Sequence, residues 1–247
     1  MYKNKLIYGI ITARGGSKSI PNKNIKKING KPLIYYSIAT SLKSKLIDRT
    51  IMSTDSSKIL ALGKKFNCEV PFLRPKKIAK DKSTDFEVFK HLSNWLKRND
   101  KRPSYYVHLR PTHPIRNYKI IDLAIKKLIE KKNYDSLRSL SVSKETPFKT
   151  WIKKNKGIVP IVKFKKIKDS HSIPRQILPK TYWQNGYVDI IKDSTIIKKR
   201  SISGNKVLPF EINQKSFDID YVEELNFIKK NFSKIKNSKK KLNRHPS

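Results

Sequence analysis

The stretch Ile10–Gly30, IITARGGSKSIPNKNIKKING, decides how this chain is read. The apolar run from Leu6 to Ala13 reads as a buried strand, and it stops abruptly at Arg14-Gly15-Gly16-Ser17-Lys18. Two consecutive glycines let the backbone turn tightly and present its N–H groups outward. Arg14, Lys18 and Lys23 then place three cations on one loop at a strand end. Oriented N–H groups and fixed cations both favour dense negative charge, so the loop is suited to a polyphosphate. The spacing matches neither the G-x-x-x-x-G-K-[ST] phosphate loop nor the G-x-G-x-x-G dinucleotide fingerprint.

Working outward, strand and helix signals alternate. Pro32 opens a helix over Leu33–Leu42 from its favoured first position. Arg49–Ser53 reads as a strand ending in Thr54-Asp55, followed by a helix around Ile59–Phe66. Val70–Leu73 reads as a third strand, closed by Arg74-Pro75. Thr84-Asp85-Phe86-Glu87 is a capping box, and the helix it opens carries Phe86, Phe89, Leu92, Trp95 and Leu96 at helical spacing. Tyr105–Leu109 is a strand, Ile121, Ala124, Ile125 and Leu128 stripe the next helix, and Ser136–Ser143 is another strand. This alternation predicts an α/β fold with a doubly wound, mainly parallel sheet covered on both faces. Ligands of such sheets sit beyond the carboxyl ends of the strands. Arg14, Asp55, Arg74 and the segment Arg110–Arg116 all follow predicted strands directly.

From Lys144 to Trp183 the pattern changes. Pro147, Pro160, Pro174 and Pro179 interrupt it, and short β-like runs such as Ile158–Phe164 replace helices. The sheet resumes at Gly186–Ile191, and Tyr221–Phe232 forms a last helix. The expected organisation is therefore one α/β domain over 1–143 and 184–235, an inserted subdomain over 144–183, and a basic, disordered tail over 236–247.

With 247 residues the chain fits one α/β domain with an insertion. No segment approaches the ~18 consecutive apolar residues of a membrane span. The N-terminal apolar run is too short for a signal peptide and carries no A-x-A cleavage pattern. A single cysteine, Cys68, excludes an internal disulfide framework and suits a reducing cytoplasm. Five scattered histidines give no zinc-ligand spacing. The net charge of +38 invites a nucleic-acid reading. Yet the cations are mostly lysines spread along the whole chain, whereas a dedicated nucleic-acid surface concentrates arginines and aromatics on one element. Weak, salt-sensitive adsorption to polyanions is the expected consequence, without a specific nucleic-acid partner.

The order A-R-G-G-S-K-x-I-P-x-K-N, then G-K-P-L-I, resembles the opening signature of the CMP-sialic acid synthetases (acylneuraminate cytidylyltransferases). The resemblance runs from Ile7 to about Phe227 with five motifs in the expected order. It implies a nucleotide-diphospho-sugar transferase-like fold, CTP and an acidic nine-carbon keto sugar as substrates, and a homodimer whose inserted arm reaches the partner's active site. By the same resemblance, Ala13, Arg14, Gly15, Ser17, Lys18, Lys23 and Asn24 inherit nucleotide contacts. So do Arg74 and Asp81, in F-L-R-P-x-x-I-A-x-D, while Asp55 in S-T-D has a similar match beside its reading as a helix cap.

Asp218-Ile219-Asp220 is the candidate magnesium site. Alternation along an extended segment puts both carboxylates on one face, and magnesium takes one or two carboxylates completed by phosphate and water. The context F-D-I-D-Y-x-E-E-L resembles the family's metal-binding segment. On the sugar side, Arg175 in R-Q-I-L-P, Asn185 in Q-N-G and Lys149 in T-P-F-K-T match family positions near the acceptor. A guanidinium suits a carboxylate bidentately, which gives Arg175 a physical role. Two departures stand out. The family's L-Q-P-T-S-P-L-R appears as L-R-P-T-H-P-I-R, introducing Arg110 and His113, and its A-I-Y after N-G appears as Tyr187-Val188-Asp189. Arg110 is expected to add a second cation near the sugar or the α-phosphate. The resemblance implies transfer of CMP from CTP to a sialic acid-like nonulosonate, with Arg14, Lys23, Asp218 and Asp220 carrying the chemistry. It leaves open another acidic acceptor (3-deoxy-manno-octulosonate or a phosphonate) and a polyanion-binding protein on a degenerate scaffold.

Overall fold

A computed structural model describes residues 1–163, 167, 169–213 and 216–242. Strand β1 (Ile7–Thr12) enters the glycine loop, which ends in a small hairpin, β2 (Lys27–Ile28) and β3 (Lys31–Pro32). Helix α1 (Leu33–Lys43) follows, with Pro32 as its N-cap. Next come β4 (Arg49–Ser53) and α2 (Ser57–Lys65), whose first turn is capped by the Ser56 side chain. Helix α3 (Asp85–Asn99) starts under the expected capping box, the Thr84 hydroxyl accepting from Glu87 N–H while Glu87 reaches back to Thr84 N–H. Then follow β5 (Tyr105–His108), α4 (Tyr118–Glu130) and β6 (Ser136–Val142). A hairpin of β7 (Trp151–Lys154) and β8 (Gly157–Pro160) stands apart from the main sheet. The chain returns through β9 (Tyr182–Lys192), α5 (Asp193–Lys199), β10 (Val207–Glu211) and α6 (Val222–Leu242).

The central sheet has the order β10-β6-β9-β5-β1-β4. All neighbours are parallel except β9, which is antiparallel to both β5 and β6. The third strand expected at Val70–Leu73 is reduced to two single parallel bridges, Ile51 to Glu69 and Thr54 to Leu73. Pro71 lies between them, and a proline cannot donate to a ladder. β9 begins at Tyr182, before the expected return at residue 184, and its pairing with β6 shifts register between Arg138 and Leu140. At the other end α6 continues to Leu242, so part of the segment expected to be a disordered tail is helical; residues 243–247 lie outside the described range.

Strand alternation sorts the core into two layers. Ile7 and Ile11 of β1 join residues of α1, α2 and α4 on one face, while Tyr8 and Ile10 join α3 and α5 on the other. The sheet is therefore doubly wound, as the alternation predicted. A third, smaller cluster is functionally placed. Ile20 of the glycine loop, Ile28, Leu33, Ile115 and Ile219 pack with Leu225, Ile228 and Phe232 of α6. Burial of these side chains fastens the loop and the Asp-Ile-Asp segment to one support.

Gly9 lets β1 and α1 approach closely. A Cβ there would lie 2.1 Å from the Ser41 hydroxyl oxygen of α1 and 3.2 Å from Ile47 Cγ2. Ser41 is not free to withdraw, since its hydroxyl is 2.7 Å from that of Thr50. Gly9→Ala is expected to destabilise the protein by about 1–3 kcal/mol through overpacking. Urea unfolding measures this, and an unchanged midpoint would show that α1 has slack to move.

Candidate active site

The glycine loop is held from behind by its own sequence. Asp55, just past β4, accepts the Gly15 N–H at 2.8 Å, and Ser56 rather than Asp55 caps α2. Buried Asn24 donates to the Arg14 carbonyl at 2.8 Å. Ala13 is fully buried, its N–H bonded to the Ser53 carbonyl. Arg74 is buried against the same strand end and donates to the hydroxyl and carbonyl of Ser53. These ties leave Arg14, Ser17, Lys18, Lys23, Asn24, Arg74 and Asp81 around one cavity of about 470 Å³ at the carboxyl ends of β1 and β5. Its cations already have internal partners. Asp81 bridges Arg14 and Lys18, each at 2.8 Å, and those two cations hold its carboxyl below the usual range. Lys23 donates to the Ile219 carbonyl at 2.8 Å and to Asp220 at 3.0 Å.

A second cavity of about 1000 Å³ lies beside the first, lined by the ends of β6 and β9, the segment after β10, and Asp218. The Asp-Ile-Asp segment forms the junction between the two. Ile219 is buried and its N–H bonds the Thr112 carbonyl, so the flanking aspartates both turn outward. Asp220 lines the first cavity and Asp218 the second. Burial alone would raise the Asp218 carboxyl, but bonds from His113 and Thr112 bring it down to about 2. His113 itself is 1% exposed, with Nδ1 3.3 Å from Asp218 and Nε2 2.8 Å from the Ser216 hydroxyl. Burial pushes it below the ordinary histidine range, so the neutral ring donates to Asp218. Among the described residues no group of three or more His, Cys, Asp or Glu side chains could hold a metal. Two outward carboxylates beside a cationic loop fit an ion that completes its shell with phosphate and water, as magnesium does.

The sugar-side positions are less concentrated. Asn185 lines the second cavity, but both ends of its amide are bound internally, to Ser139, Ser141 and the Tyr187 N–H. Arg175 is half-exposed and donates to the Lys144 carbonyl, with Glu145 3.4 Å away. Lys149 is exposed at the end of a single 3-10 turn. Neither Arg175 nor Lys149 lines either cavity.

The two departures from the family pattern meet in space. Arg110 does not stand as a free cation. It pairs with fully buried Asp189 through Nη1 and with Asp85 through Nη2 at 2.7 Å. Behind it, Arg138 is 3.1 Å from the same Asp189 oxygen. Sequence reasoning missed Asp85, Arg138 and Asp189 because a line of sequence shows charges and not their pairing; the joint change at positions 110 and 189 was the available signal. It also passed over Arg116, whose guanidinium ties the region together. Nε donates to the Tyr187 carbonyl, Nη1 to the Ser37 hydroxyl and the His113 carbonyl, and Nη2 to the carbonyls of Arg110 and Gly186.

Residues 8–240 match the family model described as Cytidylyltransferase. The chain is 36% identical to a pseudaminic acid cytidylyltransferase of Campylobacter jejuni over 121 residues, 49% of this chain and 52% of that one. It is 28% identical to a CMP-N,N'-diacetyllegionaminic acid synthase of Legionella pneumophila over 87% of this chain and 90% of the other. Among solved structures, CMP:2-keto-3-deoxy-manno-octonic acid synthetase complexed with CTP superposes with a TM-score of 0.69 at 12% identity, covering 93% of this chain and 99% of that one. That likeness concerns the fold.

Arg116→Lys is expected to lower stability by on the order of 3 kcal/mol, because an ammonium offers three donors from one point and leaves buried carbonyls unpaired. Denaturant melts of the two proteins check this; equal midpoints would remove Arg116 from its structural role.

Proposed function

This chain belongs to the cytidylyltransferase family, and we propose that it transfers CMP from CTP to the anomeric hydroxyl of a nonulosonic acid, releasing pyrophosphate. The observation that carries the reading is the junction of the two cavities. A cation-lined cavity suited to a triphosphate meets a second, larger one at Asp-Ile-Asp, with one carboxylate turned to each side. A reaction between two bound substrates needs such a meeting point.

In this reading the first cavity takes the nucleotide. Arg14, Lys18 and Lys23 exchange their internal partners Asp81 and Asp220 for phosphate oxygens, so the site is already ordered before the ligand arrives. The acceptor hydroxyl gives up its proton to water as its oxygen forms a bond to the α-phosphorus, the bond from that phosphorus to the bridging oxygen breaks, and pyrophosphate leaves with the electron pair. No protein nucleophile is needed. Asp218 and Asp220 would hold magnesium, and a divalent ion there supplies neutralisation of phosphoryl charge. Neutral His113 fixes the Asp218 carboxylate and keeps it ionised.

The acceptor occupies the second cavity, where Trp183, Tyr182 and Ile161 supply apolar surface and Asn185 and Ser143 polar groups. The relatives' names span pseudaminic, legionaminic and N-acylneuraminic acids, which supports a nonulosonate as the acceptor class. Arg175 and Lys149 reach an acceptor only if the arm around them moves or a partner subunit closes over it. A homodimer built through the inserted segment accounts for its exposed apolar side chains, among them Ile152, Ile158, Ile177 and Trp183, the last 70% exposed. No helix among the described residues is long and apolar enough to cross a membrane. A cytoplasmic location follows from the need for CTP and from the single cysteine, Cys68, whose thiol burial pushes up to about 12.

Pyrophosphate release with pseudaminic, legionaminic and N-acetylneuraminic acids tests the reading. With the correct acid, CTP is expected to exceed ATP, GTP and UTP at least about tenfold, roughly 1.4 kcal/mol of discrimination. Equal use of all four nucleotides, or no release with any acid, would overturn it. Asp218→Asn and Asp220→Asn should each lower turnover by ~100-fold or more with the fold intact, since several kcal/mol of charge stabilisation is lost. Full wild-type activity in excess EDTA would exclude the metal assignment.

A further inference from the structure

The nucleotide cavity contains three carboxylates, and they are not equivalent. Asp81 and Asp220 contact the loop cations directly and are exposed beside them. Asp85 sits in the first turn of α3, where Oδ2 accepts from Arg110 and Oδ1 has no hydrogen-bond partner among the described residues. Its neighbour cannot swing away to meet a ligand. Arg110 is locked from behind by Asp189, which has no exposure and sits between Arg110 and Arg138. Withdrawing Arg110 would leave a fully buried carboxylate with one partner fewer, a costly change in a low-dielectric site.

This order of contacts fixes what Asp85 can do. Oδ2 is ion-paired with the Arg110 guanidinium at 2.7 Å, and although burial works against the charge, His108 and Arg110 hold the carboxyl below the usual range. It is therefore an acceptor only. A triphosphate offers it no donor and repels it. The nucleoside half of a nucleotide does offer donors, namely the ribose hydroxyls and the exocyclic amino group of cytosine. We propose that Asp85 is a nucleotide-contact residue accepting a hydrogen bond from the nucleoside half of CTP, and that Arg110 is its positioning residue rather than an acceptor-binding cation. The proposal rests on the reading that this cavity binds CTP. It replaces the role that the sequence alone assigned to Arg110, whose charge is met from behind by the fully buried carboxylate of Asp189.

Titration calorimetry with nucleotide alone tests this without an acceptor. The ligands are CTP, 2′,3′-dideoxy-CTP, UTP and inorganic tripolyphosphate; the proteins are wild type, Asp85→Asn, Arg110→Gln and the double variant. Wild type should prefer CTP about tenfold over the dideoxy analogue if the donor is a ribose hydroxyl, or over UTP if it is the amino group. Asp85→Asn should lose that preference at least fivefold while tripolyphosphate binding moves less than twofold. Arg110→Gln should weaken CTP comparably, and should add less than twofold in the Asp85→Asn background, because a residue acting through another has no separate effect once that other is gone. The acceptor KM of Arg110→Gln should stay within twofold of wild type. If Arg110→Gln does not fold, Arg110→Lys, which keeps a charge for Asp189, takes its place. Unchanged nucleotide preferences in Asp85→Asn, an independent effect of Arg110 in the double variant, or a rise confined to the acceptor KM would each overturn the proposal. Wild type that binds no CTP would instead overturn the function itself.

Discussion

Five N–H groups of one guanidinium hold the active end of this molecule together. Arg116 donates to acceptors on α1, on the loop after β5 and on the turn into the core of β9, and no carboxylate lies in ion-pair distance among the described residues. The geometry is specific to arginine, whose planar fork can serve several carbonyls at once without moving. Its consequence is positional. The backbone carbonyls of Arg110 and His113 are fixed relative to Gly186 and Tyr187. Burial pulls Arg116 down to about 9, which still leaves it cationic at neutral pH.

On that frame the site is built from charges that are paired in advance. Asp81 is shared by Arg14 and Lys18, Asp220 pairs with Lys23, and Asp85, Arg110, Asp189 and Arg138 form an alternating row that neutralises itself. In the first two sets the carboxylates of Asp81 and Asp220 reach solvent, 43% and 58% exposed, where an ion pair is worth little. The last set is fixed through its buried members Asp189 and Arg138, because taking one member away strands another. The row is thus anchored at its Asp189–Arg138 end and reaches the first cavity at Asp85 and Arg110. The remaining positive charge, most of the +38, is lysine spread over the chain and belongs to neither group.

Hydrophobic packing supplies the other half of the positioning. Ile20 and Ile219 are far apart in sequence, yet both are sealed against α6 in one small cluster. The glycine loop and the two aspartates therefore share a support. Lys23 bonding the Ile219 carbonyl closes the same contact in polar terms.

Local rules made much of this legible in sequence. The alternation of strands and helices, the capping box at Thr84, the glycine loop after β1 and the outward turn of two aspartates around an apolar residue all depend on neighbours in the chain. Each is therefore written within a few residues. The edge segment at Val70–Leu73 went astray because Pro71 limits pairing there, and the length of α6 because lysine-rich sequence is helix-competent as well as soluble. What only the tertiary structure decided is which charges meet. Arg110 faces Asp85 and Asp189 across 25 and 79 residues, Arg116 spans Ser37 and Tyr187, and Asp55 holds Gly15. Sequence sets the type and the local face of a side chain; its partner is chosen by the packing of the sheet and helices, because burial makes every unpaired charge costly and the fold alone determines which opposite charge lies within reach.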